Sequence, residues 1–134
     1  MIKIAILGSA KDHAAITKIA QAMEKVGFYV ILFPNARELR QSQLPQNILR
    51  LIDKGLTYCG FEHIKKSDYV LFANLNGYMG NSATLELGYS AALSKHIIAL
   101  NHDKELTRES LFDDVLETED ADKIAQILIE KLTK

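Results

Sequence analysis

From Tyr69 to Leu100 the chain reads as one unit. An apolar run, Tyr69–Ala73, leads into the stretch N-L-N-G-Y-M-G-N-S-A-T-L-E-L-G-Y-S-A-A-L-S-K, and a second apolar run, Ile97–Leu100, follows it. The order is strand, Gly/Asn-rich loop, helix, strand, which is one βαβ unit. A unit of this kind commits the sheet to parallel pairing and the crossover to the right-handed sense. It also locates a site, because ligands of open parallel sheets bind outside the carboxyl ends of the strands. The loop at that edge carries Asn74, Asn76, Gly77, Gly80, Asn81 and Ser82, a supply of mobile backbone and small polar groups.

The flanking sequence extends the same pattern. Ile2 to Leu7 is nearly continuous aliphatic sequence, as a strand covered on both faces requires. Gly8-Ser9-Ala10 turns it into a helix whose Ile16, Ile19, Ala20, Met23 and Val26 recur at three- and four-residue steps. Gly27 is placed to stop that helix, and Phe28–Phe33 forms the next strand, closed by Pro34-Asn35. Between residues 36 and 67 the sequence predicts two helices. One starts with Pro45 at its first position and buries Ile48, Leu51 and Ile52 before Gly55; the other is short and carries Phe61 and Ile64. A short helix and an edge strand near Asp114–Glu117 are expected after the fourth strand, then a final helix with Ile124, Ile127, Leu128 and Leu132 on one stripe. The expected fold is a single domain, residues 1–134: a doubly wound α/β three-layer sandwich of about five parallel strands, in the flavodoxin-like order 2-1-3-4-5.

Composition excludes several classes of partner. A net charge of -1 with scattered cations offers no electrostatic basis for binding a nucleic-acid polymer or an acidic membrane. No segment approaches the roughly 20 apolar residues of a membrane span. The N-terminus lacks the pattern of a signal peptide, and the lone Cys59 suits a reducing compartment, so a cytoplasmic protein is expected. No P-loop, no G-x-G-x-x-G after the first strand, no G-x-S-x-G and no metal-ligand spacing of Cys and His occurs.

Glu86 is the one acid of the central helix. A capping box does not explain it, because three residues before it stands Ala83, which cannot cap. Read as an acid in an opening turn, it would be a helix-dipole partner; read as a cleft residue, it is a candidate nucleophile.

The run T-L-E-L-G-Y-S-A-A-L-S-K-H, behind a strand and a small-residue loop, resembles the E-L-G-Y/R-A motif of the nucleoside 2-deoxyribosyltransferase family, which includes deoxynucleoside 5'-monophosphate N-glycosidases. The G-S turn after strand one and the segment F-E-H-I-K-K-S-D-Y-V-L extend the resemblance over roughly residues 1 to 100. It implies that Glu86 is the nucleophile. It also implies that Gly8, Ser9, Asn81 and Ser82 hold a sugar-phosphate, with Asn74, Asn76, Gly77, Tyr78 and Gly80 around sugar and base. The implied ligand is a small-molecule nucleoside or nucleotide, with neither a metal nor an organic cofactor, and the implied assembly is a homodimer or higher homo-oligomer.

Three departures bear on activity. Where the family carries an aspartate that serves the leaving base, this chain has Gly60; a tyrosine late in strand one is replaced by Ala5 and Ile6; and Gly80 stands six residues before Glu86. The alternative is therefore a non-catalytic nucleotide-binding module that has lost the leaving-group acid. A phosphoribohydrolase of the cytokinin-activating kind would need a G-G-x-G-T-x-x-E loop, which is not present.

Overall fold

In the computed structural model, which describes residues 1–36 and 42–134, five strands form one parallel sheet in the order β2-β1-β3-β4-β5. They are β1 (Lys3–Leu7), β2 (Tyr29–Leu32), β3 (Tyr69–Phe72), β4 (His96–Ala99) and β5 (Asp114–Val115). The register sets Ile4 beside Val30, Ala5 beside Val70, Val70 beside Ile97 and Ile98 beside Asp114. The expected strand order is found, with each strand within a residue or two of its predicted bounds.

Alternate side chains of the central strands enter two separate cores, as the pleat requires. Ile4, Ile6, Leu71 and Ile98 pack under α1 (His13–Lys25) and the C-terminal helix α5 (Ala121–Leu132). Leu7, Val70, Phe72 and Ile97 pack under α2 (Gln46–Lys66) and α3 (Asn81–Ala92). This two-sided burial is why β1 and β3 read as nearly unbroken apolar runs. Gly27 stops α1 at φ 106°, in the conformation a glycine tolerates. Asp120 caps α5 by accepting the Lys123 amide at 3.0 Å. The predicted short helix near the fourth strand is α4 (Leu106–Glu109).

The stretch from 36 to 67 departs from expectation, apart from 37–41, which lie outside the described residues. In place of two helices, α2 runs 21 residues without a break at Gly55. Glycine in a helix interior costs about 0.5–1 kcal/mol relative to alanine, too little to end a helix whose second half is anchored by Ile64 at 0% exposure. Pro45 is the residue before the helix rather than its first position, and its carbonyl accepts the Ile48 and Leu49 amides, both at 3.0 Å. Ile48 and Leu51, expected in the core, are 38% and 65% exposed.

Candidate functional site

At the carboxyl ends of β1 and β3 one chain segment turns into α1 and the other into α3. Gly8 sets the spacing there: a methyl group added to it would come within 2.7 Å of the Ile16 Cδ1 atom and 3.1 Å of the Ala73 carbonyl oxygen. With no side chain at 8, α1 and the β3 end close in below, and the space above stays open as a cleft with two arms. The inner arm, about 630 Å³ counted to its mouth, runs between Gly8, Phe33, Leu56, Gly60, Ser82 and Glu86. The outer arm, about 940 Å³, is lined by Ser9, Asp53, Asn74, Tyr78, Asn81 and Ser82 among others. Leu7, Gly8, Ala10 and Ser82 border both.

Glu86 reaches the inner arm from the second turn of α3, not the first. Gly80 is the N-cap, so Asn81, Ser82 and Ala83 form the opening turn and no acid lies in it. A helix dipole falls off within that turn, so its pull on Glu86 is weak and the dipole-partner reading loses its basis. The Glu86 carboxylate lies against α2. A methyl group at Gly60 would overlap Oε2 of Glu86 and stand 3.2 Å from its Cδ, so the acid lies directly against the bare backbone of that helix.

Gly8, Ser9, Tyr78, Gly80, Asn81 and Ser82 are brought together around the outer arm, at the start of α3. The opening amides of α3 have no acceptor within the helix. Tyr78 lies over them: its hydroxyl would be 3.2 Å from a methyl group on Gly80, and Lys11 Nζ stands 4.2 Å from its ring centre. That cation–π contact links the β1–α1 loop to the β3–α3 loop across the mouth.

Asn74, Asn76 and Gly77 are differently employed. Asn74 is 3% exposed and borders the outer arm, but its side chain joins two strand ends. Its Oδ1 accepts the Leu100 and Asn101 amides at 3.0 and 3.1 Å, and its Nδ2 donates to the Asn101 carbonyl at 2.8 Å. Asn76 takes φ 57° and faces away from the cleft, where its amide donates to Glu119 Oε2 at 2.7 Å. Gly77 takes φ 75° against the His102 carbonyl, 3.1 Å from where a methyl group would be.

Asp53 was not among the sequence candidates. It stands on α2 seven residues before Gly60, hence two turns along the same face and about 10 Å away by helical rise. The signal available in sequence was that i to i+7 spacing, hidden by the assumed break at Gly55. Outside the cleft, Cys59 Sγ lies 3.5 Å from His63 Nε2, and burial, with Lys66 adding to it, pushes the His63 pKa down. Among the described residues, no group of three or more His, Cys, Asp and Glu side chains is placed to hold a metal ion.

No protein-family profile matches the chain, and no curated protein matches it. A solved structure does: the chain is similar to a conserved protein from Enterococcus faecalis V583, at 15% identity and a TM-score of 0.59, over 96% of this chain and 99% of that one. At that identity the likeness is one of fold. Among the described residues no helix is long and apolar enough to cross a membrane.

Proposed function

We propose that this protein cleaves or transfers the N-glycosidic bond of a nucleoside or its 5'-monophosphate, with Glu86 as nucleophile. The observation that carries the reading is the Glu86 carboxylate in the inner arm, at the carboxyl edge of the sheet, beside Gly8 and Ser82. In this reaction the Glu86 carboxylate attacks the anomeric carbon as the bond to the base nitrogen breaks, and the electron pair leaves with the base. Water then attacks the glycosyl ester, or a second base does, and the configuration at the sugar is retained. The outer arm suits the sugar-phosphate end, since the opening amides of α3 at Asn81, Ser82 and Ala83 favour an anion. The apolar stretch of the inner arm, with Phe33 and Leu56, offers a face for the base.

The leaving base takes up a proton, and general-acid help there typically contributes 10²–10⁴-fold. Position 60 supplies none. Asp53, the other acid on this wall of α2, borders the outer arm and not the inner arm that takes the base.

The second reading, a binding module without turnover, is favoured by Gly60. A panel of nucleosides and 5'-monophosphates, assayed for free base, separates the two. The expected result is base release by the wild type and none by Glu86→Gln, with ligand affinity nearly unchanged, because an amide cannot form the ester. Release that persists in Glu86→Gln would overturn the nucleophile assignment. Binding without release in both proteins would establish the module.

A further inference from the structure

Among the described residues that line the inner arm, Glu86 is the one acid, and none is Lys, Arg, His, Tyr or Cys. The other polar side chains in that lining are the hydroxyls of Thr57 and Ser82, far too weakly acidic to protonate a departing base at neutral pH. Thr57 already donates its proton to the Asp53 carbonyl at 2.9 Å. Position 60 has no room for an acid while Glu86 keeps its seat, since an added methyl group there would overlap the carboxylate. The rest of the wall is apolar, with Leu7, Phe33, Pro34, Ala36 and Leu56.

We infer that the substrate of this site is an N-glycoside whose base is already a cation: a pyridinium or N-alkylated purine nucleoside or nucleotide. The inference rests on the reading of Glu86 as nucleophile at an N-glycosidic bond and adds the class of base. A neutral base leaves with the electron pair of the C–N bond and becomes an anion unless an acid protonates it. In an apolar arm that anion is neither solvated nor paired, which is costly. A cationic base needs no proton. As Glu86 attacks the anomeric carbon, the C–N pair returns to the ring nitrogen, the base departs neutral, and the carboxylate becomes an ester. Two opposite charges cancel in that step, and surroundings that solvate charge poorly favour their loss. Water then attacks the anomeric carbon, Glu86 leaves as carboxylate, and the water gives one proton to solvent. The sum takes a cationic glycoside and water to free sugar, neutral base and one proton.

Recognition before the reaction points the same way. The inner arm offers a ring cation a carboxylate at Glu86 and an aromatic ring at Phe33. Aromatic rings attract cations that meet their faces. Among the described lining residues no cation repels it.

Base release from 7-methylguanosine 5'-monophosphate and from guanosine 5'-monophosphate, each in ribose and 2-deoxyribose forms, tests this. The two bases differ by one methyl group, and in mildly acidic buffer the methylated ring is fully cationic. The methylated nucleotide should be cleaved with a kcat/KM at least about a hundredfold higher, the lower end of what a missing general acid withholds from the neutral one. Glu86→Gln should release neither base. With nicotinamide mononucleotide, whose ring cannot lose its charge, kcat/KM should stay level as pH rises from neutral, because no donor has to remain protonated. A ratio below a hundredfold, or a fall on the alkaline side, would mark a proton donor at the base and overturn the inference while leaving Glu86 as nucleophile. Release from none of these nucleotides would overturn the inference and the nucleophile reading together.

Discussion

Gly60 and Glu86 share one space: a side chain at 60 would occupy the position of the Glu86 carboxylate. The residue that looks like a lost acid is therefore also the residue that gives the remaining acid its seat. Aspartate at this position would put two carboxylates in one place, where one of them is driven toward its neutral form. Gly60→Asp is not a simple restoration, because Glu86 must move first.

Gly60→Ala should separate stability from activity. Alanine gains about 0.5–1 kcal/mol over glycine inside a helix, so Tm should hold or rise by a few degrees. Displacing Glu86 should reduce base release more than tenfold. Thermal melts and steady-state kinetics on the same preparation check both halves; unchanged turnover would show that the carboxylate does not act from this seat.

Asn74 is expected to matter through folding. Asn74→Ala strips the acceptor from the Asn101 amide and the donor from the Asn101 carbonyl, in a site 3% exposed, while the Leu100 amide keeps the Phe72 carbonyl at 3.2 Å. Each buried group left unpaired costs about 1–3 kcal/mol, so the urea midpoint should fall by the equivalent of roughly 2–4 kcal/mol with an unchanged slope. A variant with wild-type stability but weakened nucleotide binding would instead make Asn74 a ligand contact.

Arg108 and Asp103 form a pair in which one member is buried. The guanidinium reaches the carboxylate at 2.7 and 3.1 Å, and the Asp103 side chain is 2% exposed. Burial pushes the Asp103 pKa up, but the Arg108 bonds and the Glu105 amide outweigh it, and the carboxyl titrates below its ordinary value. Its contribution to stability is therefore present above the unfolded-state pKa and lost as pH falls through the depressed one. Arg108→Met should cost about 3 kcal/mol near neutral pH by leaving a buried carboxylate without its cation. The gap to wild type should close in acid, and denaturant midpoints from neutral pH downward measure it.

His102 sits between two carboxylates, with Nδ1 2.6 Å from Glu109 Oε1 and Nε2 3.1 Å from Glu117 Oε1. Two acceptors require two N–H donors, hence the imidazolium. The Glu109 hydrogen bond is the main cause of a pKa raised above the ordinary imidazole value. The clamp is fully present below the unfolded-state pKa, about 6.5, and is lost as pH rises through the raised folded value. An NMR titration should place the His102 transition above that of an unfolded control, and Glu109→Gln should lower it. Identical transitions in the two proteins would exclude the clamp.

The sheet was legible from residues alone because two-sided burial writes itself as apolar runs such as Ile4–Leu7 and Val70–Ala73. Strand order followed from the crossovers and the absence of hairpin signals. The site edge was legible for the same reason, since the loops after β1 and β3 had to lie there. Gly8, Ser9, Asn81 and Ser82 stand where that logic put them.

Local pattern failed where a distant contact set the outcome. Gly55 looked like a helix end, yet anchoring of α2 at Ile64 carries the helix through it. Glu86 looked like a first-turn acid because nothing in the sequence marks Gly80 as the cap. Asn74 had the composition of a ligand residue, and only the neighbouring β4 end showed that its amide was already engaged.

Sequence by itself determined which strand residues face a core and at which edge of the sheet the candidate site lies, because strand burial and chain direction repeat at a short period. Tertiary structure alone decided what each polar side chain does there. A carboxylate or an amide takes its role from the groups around it, and in this chain those come from other elements: the β4 end for Asn74 and α4 for His102.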